Sequence, residues 1–113
     1  MNTYNITNMN SPRSGRPVAN QYQINVRLRD GDEGERCLSL YQSYNTMIAK
    51  VEGGNITLTE DWDCSRTTLK YLREFLGQDY TAKEIRGLIA KGYVRLVKSL
   101  DCYGNEEAID EHV

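Results

Sequence analysis

Asp61, Cys64 and their neighbours come closest to a pattern that could do chemistry. A thiol near a helix N-terminus can have a lowered pKa and act as a nucleophile. Such a nucleophile also needs a base within hydrogen-bond reach, and the one histidine, His112, sits next to last in an acidic tail. Cys64 is therefore expected to be a small buried thiol. Asp61, Asp63 and Ser65 alternate like the start of a calcium loop, but that loop needs glycine at its sixth place and glutamate at its twelfth, where this chain has Arg66 and Leu72. Asp63 is better explained as part of a helix cap. Gly53-Gly54 precedes a strand rather than a helix whose amides could hold a phosphate. Cys37, Cys64 and Cys102 are odd in number, far apart and form no C-x-x-C pair, so reduced thiols are expected and zinc is not. The expectation is a chain that is not an enzyme and holds no metal or cofactor.

Binding offers more. Arg66, Lys70 and Arg73 recur at i, i+4, i+7 and so lie along one side of a helix, flanking a leucine stripe. Such a row can track phosphates, with Tyr71 and Trp62 adding stacking on bases. The plainer reading is a solvated helix flank with a weak Lys70–Glu74 pair. Tyr41 and Tyr44 could present rings to a partner, or could simply cover the sheet. Asp30, Asp32, Glu33 and Glu35 form an acidic patch. The net charge of −2 conceals segregation: residues 1–29 carry four arginines and no acid, and residues 101–113 five acids and no base. Between them, residues 64–100 hold eight basic residues against three acidic ones.

These groups must be positioned by a small number of elements. Gln21 to Leu28 alternates, with Tyr22, Ile24, Val26 and Leu28 apolar, which predicts a half-buried strand. Arg36 to Gln42 is its return strand, with Leu38 and Leu40 inward and Tyr41 on the other face. Thr46–Glu52 and Asn55–Glu60 flank Gly53-Gly54, a pair suited to a two-residue primed turn. That turn sets Glu52 opposite Asn55, Val51 opposite Ile56 and Ala49 opposite Leu58. Ser65 or Asp63 caps a first helix with Leu69, Leu72 and Leu76 buried and Gly77 closing it. Thr81 and Glu84 form a capping box, and Tyr80 with Ile85 a staple, for a second helix stopped by Gly92. A strand over Tyr93–Lys98 follows, and another is possible at Thr3–Thr7.

The expected fold is α+β: an antiparallel sheet of four to six strands, two hairpins, then two short helices on one face, then a final strand. One domain spans 1–100, with 9–17 as a loop or arm and 101–113 as a flexible acidic tail. No apolar run approaches the roughly 20 residues of a membrane span, and the N-terminus lacks the form of a signal peptide. Both N-x-T triplets, at Asn5 and Asn55, are set aside for want of export. The bacterial host cytoplasm is the expected location.

Three segments carry a resemblance. Pro17, Val18, Asn20, Gln21 and Tyr22 fit P-V-x-N-Q-F/Y, and Tyr41, Gln42, Ser43, Tyr44, Ile48, Ala49 and Lys50 fit F/Y-Q-S-Y-x-x-x-I-A-K. Trp62, Ser65, Thr67, Thr68, Lys70 and Tyr71 fit W-x-x-S-x-T-T-x-K-Y. Over residues 14–98 the chain resembles a family of small uncharacterised proteins of bacteriophages and mobile elements of Firmicutes and gut bacteria. The resemblance implies a phage-like origin and brings no catalytic residue with it. The expected function is a non-catalytic inhibitor of a host defence system, anti-CRISPR-like, whose partner is a defence protein or ribonucleoprotein. A nucleic-acid-binding accessory domain using the basic helix row is the alternative, and a minor virion or assembly component a third.

Overall fold

The computed structural model of the chain describes residues 2–29 and 34–109. Among these residues six strands form one sheet in chain order: β1 (Thr3–Asn10), β2 (Pro17–Arg29), β3 (Glu35–Ser43), β4 (Thr46–Glu52), β5 (Asn55–Thr59) and β6 (Val94–Val97). Two helices, α1 (Arg66–Leu76) and α2 (Ala82–Ala90), carry the chain from β5 to β6. Two short strands, β7 (Ser99–Leu100) and β8 (Glu106–Glu107), pair beyond it. The fold is α+β, with the helices after the hairpins and a final strand behind them. The sheet is antiparallel from β1 to β5, but β6 joins β5 in parallel. Parallel neighbours cannot be joined by a tight turn and need a long crossover, which the two helices supply. None of the described helices is long and apolar enough to cross a membrane.

Local chemistry explains the elements. Gly53 and Gly54 have φ of 57° and 80°, as the turn between β4 and β5 requires. They set Glu52 against Asn55, Val51 against Ile56 and Ala49 against Leu58, the register expected. Ser65 caps α1 by accepting the Thr68 N–H at 3.1 Å, and Gly77 closes it with φ 69°. Asp63 does not cap: its carboxylate takes Arg86 at 3.1 Å, and that guanidinium lies 5.6 Å from the centre of the Trp62 ring. Thr81 and Glu84 form both bonds of the capping box of α2.

Two hydrophobic clusters lie on opposite faces of the sheet. Both helices pack on one, where Tyr71, Leu72 and Ile85 meet Tyr41, Ala49, Leu58 and Val94. A bulge between Tyr41 and Gln42 gives β4 an extra residue, so Ile48 and Ala49 both reach this cluster although adjacent in sequence. The alternating residues Ile24, Val26, Leu38 and Leu40 do not lie under the helices. They form the second cluster, with Leu28 and Met47.

The C-terminal segment crosses that second face. Asp101 accepts the N–H groups of Tyr103 and Asn105, each at 2.9 Å, and bends the chain so that Gly104 meets Leu38. Lys50 is buried on the same face and donates to the Gly104 carbonyl at 3.0 Å and to Glu106. Arg95 holds the other Glu106 oxygen at 3.0 Å. Residues 101–109 therefore depart from the expected free tail: they strap the sheet. The expected loop at 9–17 is also shorter, because Met9 and Asn10 complete β1 and Pro17 begins β2.

Candidate docking site

The chain turns from β3 to β4 through Tyr44 and Asn45, and Tyr44 takes a positive φ of 54°. Primed hairpin turns need such an angle and usually place glycine there; for a bulky side chain it is an outlier. Asn20 in β2 has φ 66°, a conformation asparagine tolerates better than most. These are the two non-glycine residues with positive φ among those described, and they touch: the Tyr44 N–H donates to the Asn20 carbonyl at 2.6 Å. Gln42 Nε2 fastens the same turn by donating to the Tyr44 carbonyl at 2.7 Å.

Around this corner Ile6, Asn20, Tyr22, Gln42, Tyr44 and Asn45 line a groove of about 240 Å³. Its walls are two tyrosine rings, one isoleucine and three amides, and no lining residue is charged. Tyr44 is 56% exposed and Ile6 53%. A groove of that size holds one large side chain of a partner rather than a drug-sized molecule. Ile6, opposite Ile24 and through it Leu40, extends the second cluster to the sheet edge, where the strap leaves it open.

Behind the corner a buried polar network holds it in place. Tyr41 OH donates to Gln21 Oε1, with the Thr68 carbonyl 3.2 Å away as a second acceptor. Ser43 Oγ and Thr68 Oγ1 share a hydrogen bond of 3.2 Å, tying the Tyr44 turn to the first turn of α1. Burial pushes the Tyr41 hydroxyl up to about 12. Gln21 Nε2 is buried without a hydrogen-bond partner among the described residues.

The expected site residues separate. Tyr44 stands at the corner, and Arg66 and Lys70 are exposed on α1, the helix tied to that corner. Tyr71 and Trp62 are each 4% exposed inside the helix-side cluster, so neither ring is offered to a base; Tyr71 instead lies under Lys70, whose Nζ is 5.5 Å from its centroid. The helix phase explains this, because Tyr71 adjoins Leu72 on the buried stripe. Arg73 is half-buried and its Nε has no hydrogen-bond partner among the described residues. Of the acidic patch, Asp30, Asp32 and Glu33 lie outside the described residues, and Glu35 pairs with Arg27 at 3.1 Å. Glu35 and Ser43 bound β3, so acidic end and tyrosine corner are about 26 Å apart at strand spacing. All three cysteines, Cys64 included, are exposed free thiols. The described residues contain no cluster of His, Cys, Asp and Glu able to hold a metal.

Sequence reasoning missed Ile6, Asn20, Tyr22, Gln42 and Asn45 as groove residues. The available signal was S-Y-N-T, an asparagine-bearing pair between two strands, with Asn20 interrupting an otherwise extended run.

Fold and corner define a small α+β sheet protein, helix-covered on one face and strapped but partly open on the other. A family model matches residues 4–92, from β1 through α2, and the chain belongs to that family, the family of unknown function DUF8033. No curated protein and no solved structure matches it.

Proposed function

We propose that this protein acts by binding rather than catalysis, and that it blocks a host defence protein or ribonucleoprotein in the manner of anti-CRISPR proteins. The setting is a bacterial host cytoplasm entered by a phage or mobile element. The observation that carries the binding reading is the Tyr44 corner: an exposed tyrosine held at a positive φ over a groove of tyrosine, isoleucine and amides. Tyrosines at interface centres supply contact area with little loss of conformational freedom, and backbone outliers, which persist where the surrounding structure over-determines them, cluster at active sites and ligand clamps. Tyr44 is the anchor in this reading, and Ile6 and Tyr22 form the pocket floor.

The test is protection of a targeted phage in a host with an active CRISPR system, beside co-purification of the chain with effector components. Tyr44→Ala should abolish protection and weaken the complex by about 2 kcal/mol, roughly thirtyfold. Protection that survives Tyr44→Ala would move the function off this corner, and no protection in any defended host would remove the inhibitor reading.

A second reading rests on Arg66 and Lys70, exposed on α1, together with Arg13 and Arg16, exposed between β1 and β2. These could follow a nucleic-acid backbone. Labelled single- and double-stranded oligonucleotides at low salt decide it: binding should fall steeply with salt and weaken evenly across sequences in Lys70→Ala. Flat anisotropy traces with every oligonucleotide would end it.

A further inference from the structure

We propose that β1 is a dimerisation edge, on which a second copy of this chain adds its own β1 to make one continuous sheet. β1 is an end strand of the six-stranded sheet, so its outer N–H and C=O groups face away from β2. Soluble proteins protect such edges with lysine, proline, short length or a cover. β1 shows none of these over TYNITNMN: it is eight residues long, has no charge or proline, and only Met9 is buried. Its one irregularity lies at the end, between Asn8 and Asn10, leaving Thr3 to Asn8 in unbroken register with β2. The opposite edge is built differently. β6 is four residues long and carries Arg95.

The occupant follows from the same residues. A copy of β1 is itself an unpaired, uncharged strand of matching length, and antiparallel pairing about a two-fold axis normal to the sheet satisfies both at once. Residues that face each other in such a pair lie on the same side of the sheet. Tyr4 and Ile6, 40% and 53% exposed on the face opposite the helices, are therefore brought against the same side chains of the second copy. With these faces matched, Tyr4 lies opposite Ile6 of the second copy and five residues, Thr3–Thr7, pair from each chain. With two large side chains from each copy this lies at the small end of specific interfaces, on the order of 1,000 Å². Arginines on β2 and its hairpin do not forbid the pair. Three strand spacings, about 14 Å, separate the two β2 strands, beyond the Debye length of about 8 Å at physiological salt.

This dimer shares Ile6 with the floor of the Tyr44 groove, so the two readings are separated by Tyr44→Ala, which leaves β1 unchanged and should leave the dimer intact; the dimer sets two such corners on one face. The test is sedimentation of the full chain. The wild type should give twice the 13.0 kDa monomer mass. Tyr4→Lys with Ile6→Lys, which places like charges across the pair, should raise the dissociation constant at least about tenfold. Tyr4 also packs edge-on against Tyr103 of its own strap, with ring centroids 6.0 Å apart, so Ile6→Lys alone, at a side chain 53% exposed, is the folding control. It should keep the wild-type circular-dichroism melt and still weaken the dimer. Amide exchange in Thr3–Thr7 supplies a second measurement, slowing with concentration in the wild type and not in the double variant. A wild type that stays monomeric at on the order of 100 μM overturns the proposal. So does a dimer that the two lysines leave intact.

Discussion

Tyr44 and Gly104 show opposite uses of the left-handed backbone. Tyr44 holds φ 54° with a bulky side chain, at a cost of order 1–3 kcal/mol for a non-glycine residue. Tyr44→Gly should therefore stabilise the fold by about 1 kcal/mol while losing partner binding; a lower urea midpoint for this variant would show that the ring contributes more than its backbone costs. Gly104, at φ 80°, takes without strain an angle that other residues avoid, and it is also tight: a Cβ there would lie 2.5 Å from Leu38 Cδ1 and 3.0 Å from Lys50 Cδ. Gly104→Ala should cost about 1–3 kcal/mol in denaturant unfolding, where a neutral result would mean that the strap gives way. Tyr41 makes a pH prediction. Its folded-state pKa of about 12 lies above the ordinary value of 10.0, so the neutral hydroxyl is favoured in the folded state. The resulting stability is full below pH 10 and is lost as pH rises through 12. Tyr41→Phe should flatten that alkaline limb and, by leaving Gln21 Oε1 without its donor, lower stability at neutral pH by about 1–3 kcal/mol.

At the scale of elements, legibility followed the locality of the cause. The Gly53-Gly54 hairpin and its register were readable because two adjacent residues and a period-2 pattern determine them. The α2 capping box was readable for the same reason. The two faces of the sheet were not, since alternation in β2 and β3 shows which side chains are buried but not what buries them. Leu38 proved to lie under Gly104 of the C-terminal strap, and Tyr41 under the helices. The strap had no periodic signal, because single residues hold it: Gly104 by shape and Glu106 by bridging Lys50 and Arg95. At the candidate site, Tyr44 was readable by residue type, while its link to Asn20 required a contact across β2 and β3. Glu106 is the element-scale test. Replacing one partner of a mostly buried pair leaves the other uncompensated, so Glu106→Ala should destabilise by about 2–3 kcal/mol. Glu107→Ala, on an exposed pair with Lys98, should leave stability nearly unchanged.

Over the whole molecule, one sheet serves two cores, and this makes cooperativity the decisive property. β3 contributes Leu38 and Leu40 to the strap-side cluster and Tyr41 to the helix-side cluster, and β4 adds Met47 to one and Ile48 and Ala49 to the other. Neither face can loosen without moving strands that the other depends on. The single tryptophan, Trp62, is buried in the helix-side cluster, so its fluorescence reports the face away from the strap. Ellipticity reports the sheet that both faces share. In urea the two signals should change at one midpoint, the mark of a two-state domain. Glu106→Ala, though its change lies on the far face, should lower both midpoints equally and leave the slope nearly unchanged. A tryptophan transition that stays in place while the ellipticity midpoint falls would mean that the strap and its cluster open as a separate unit. The sharing of β3 and β4 between the clusters argues for the first outcome, because opening the second face alone would leave Leu38 and Leu40 in water on strands still fixed by Tyr41 and Ala49.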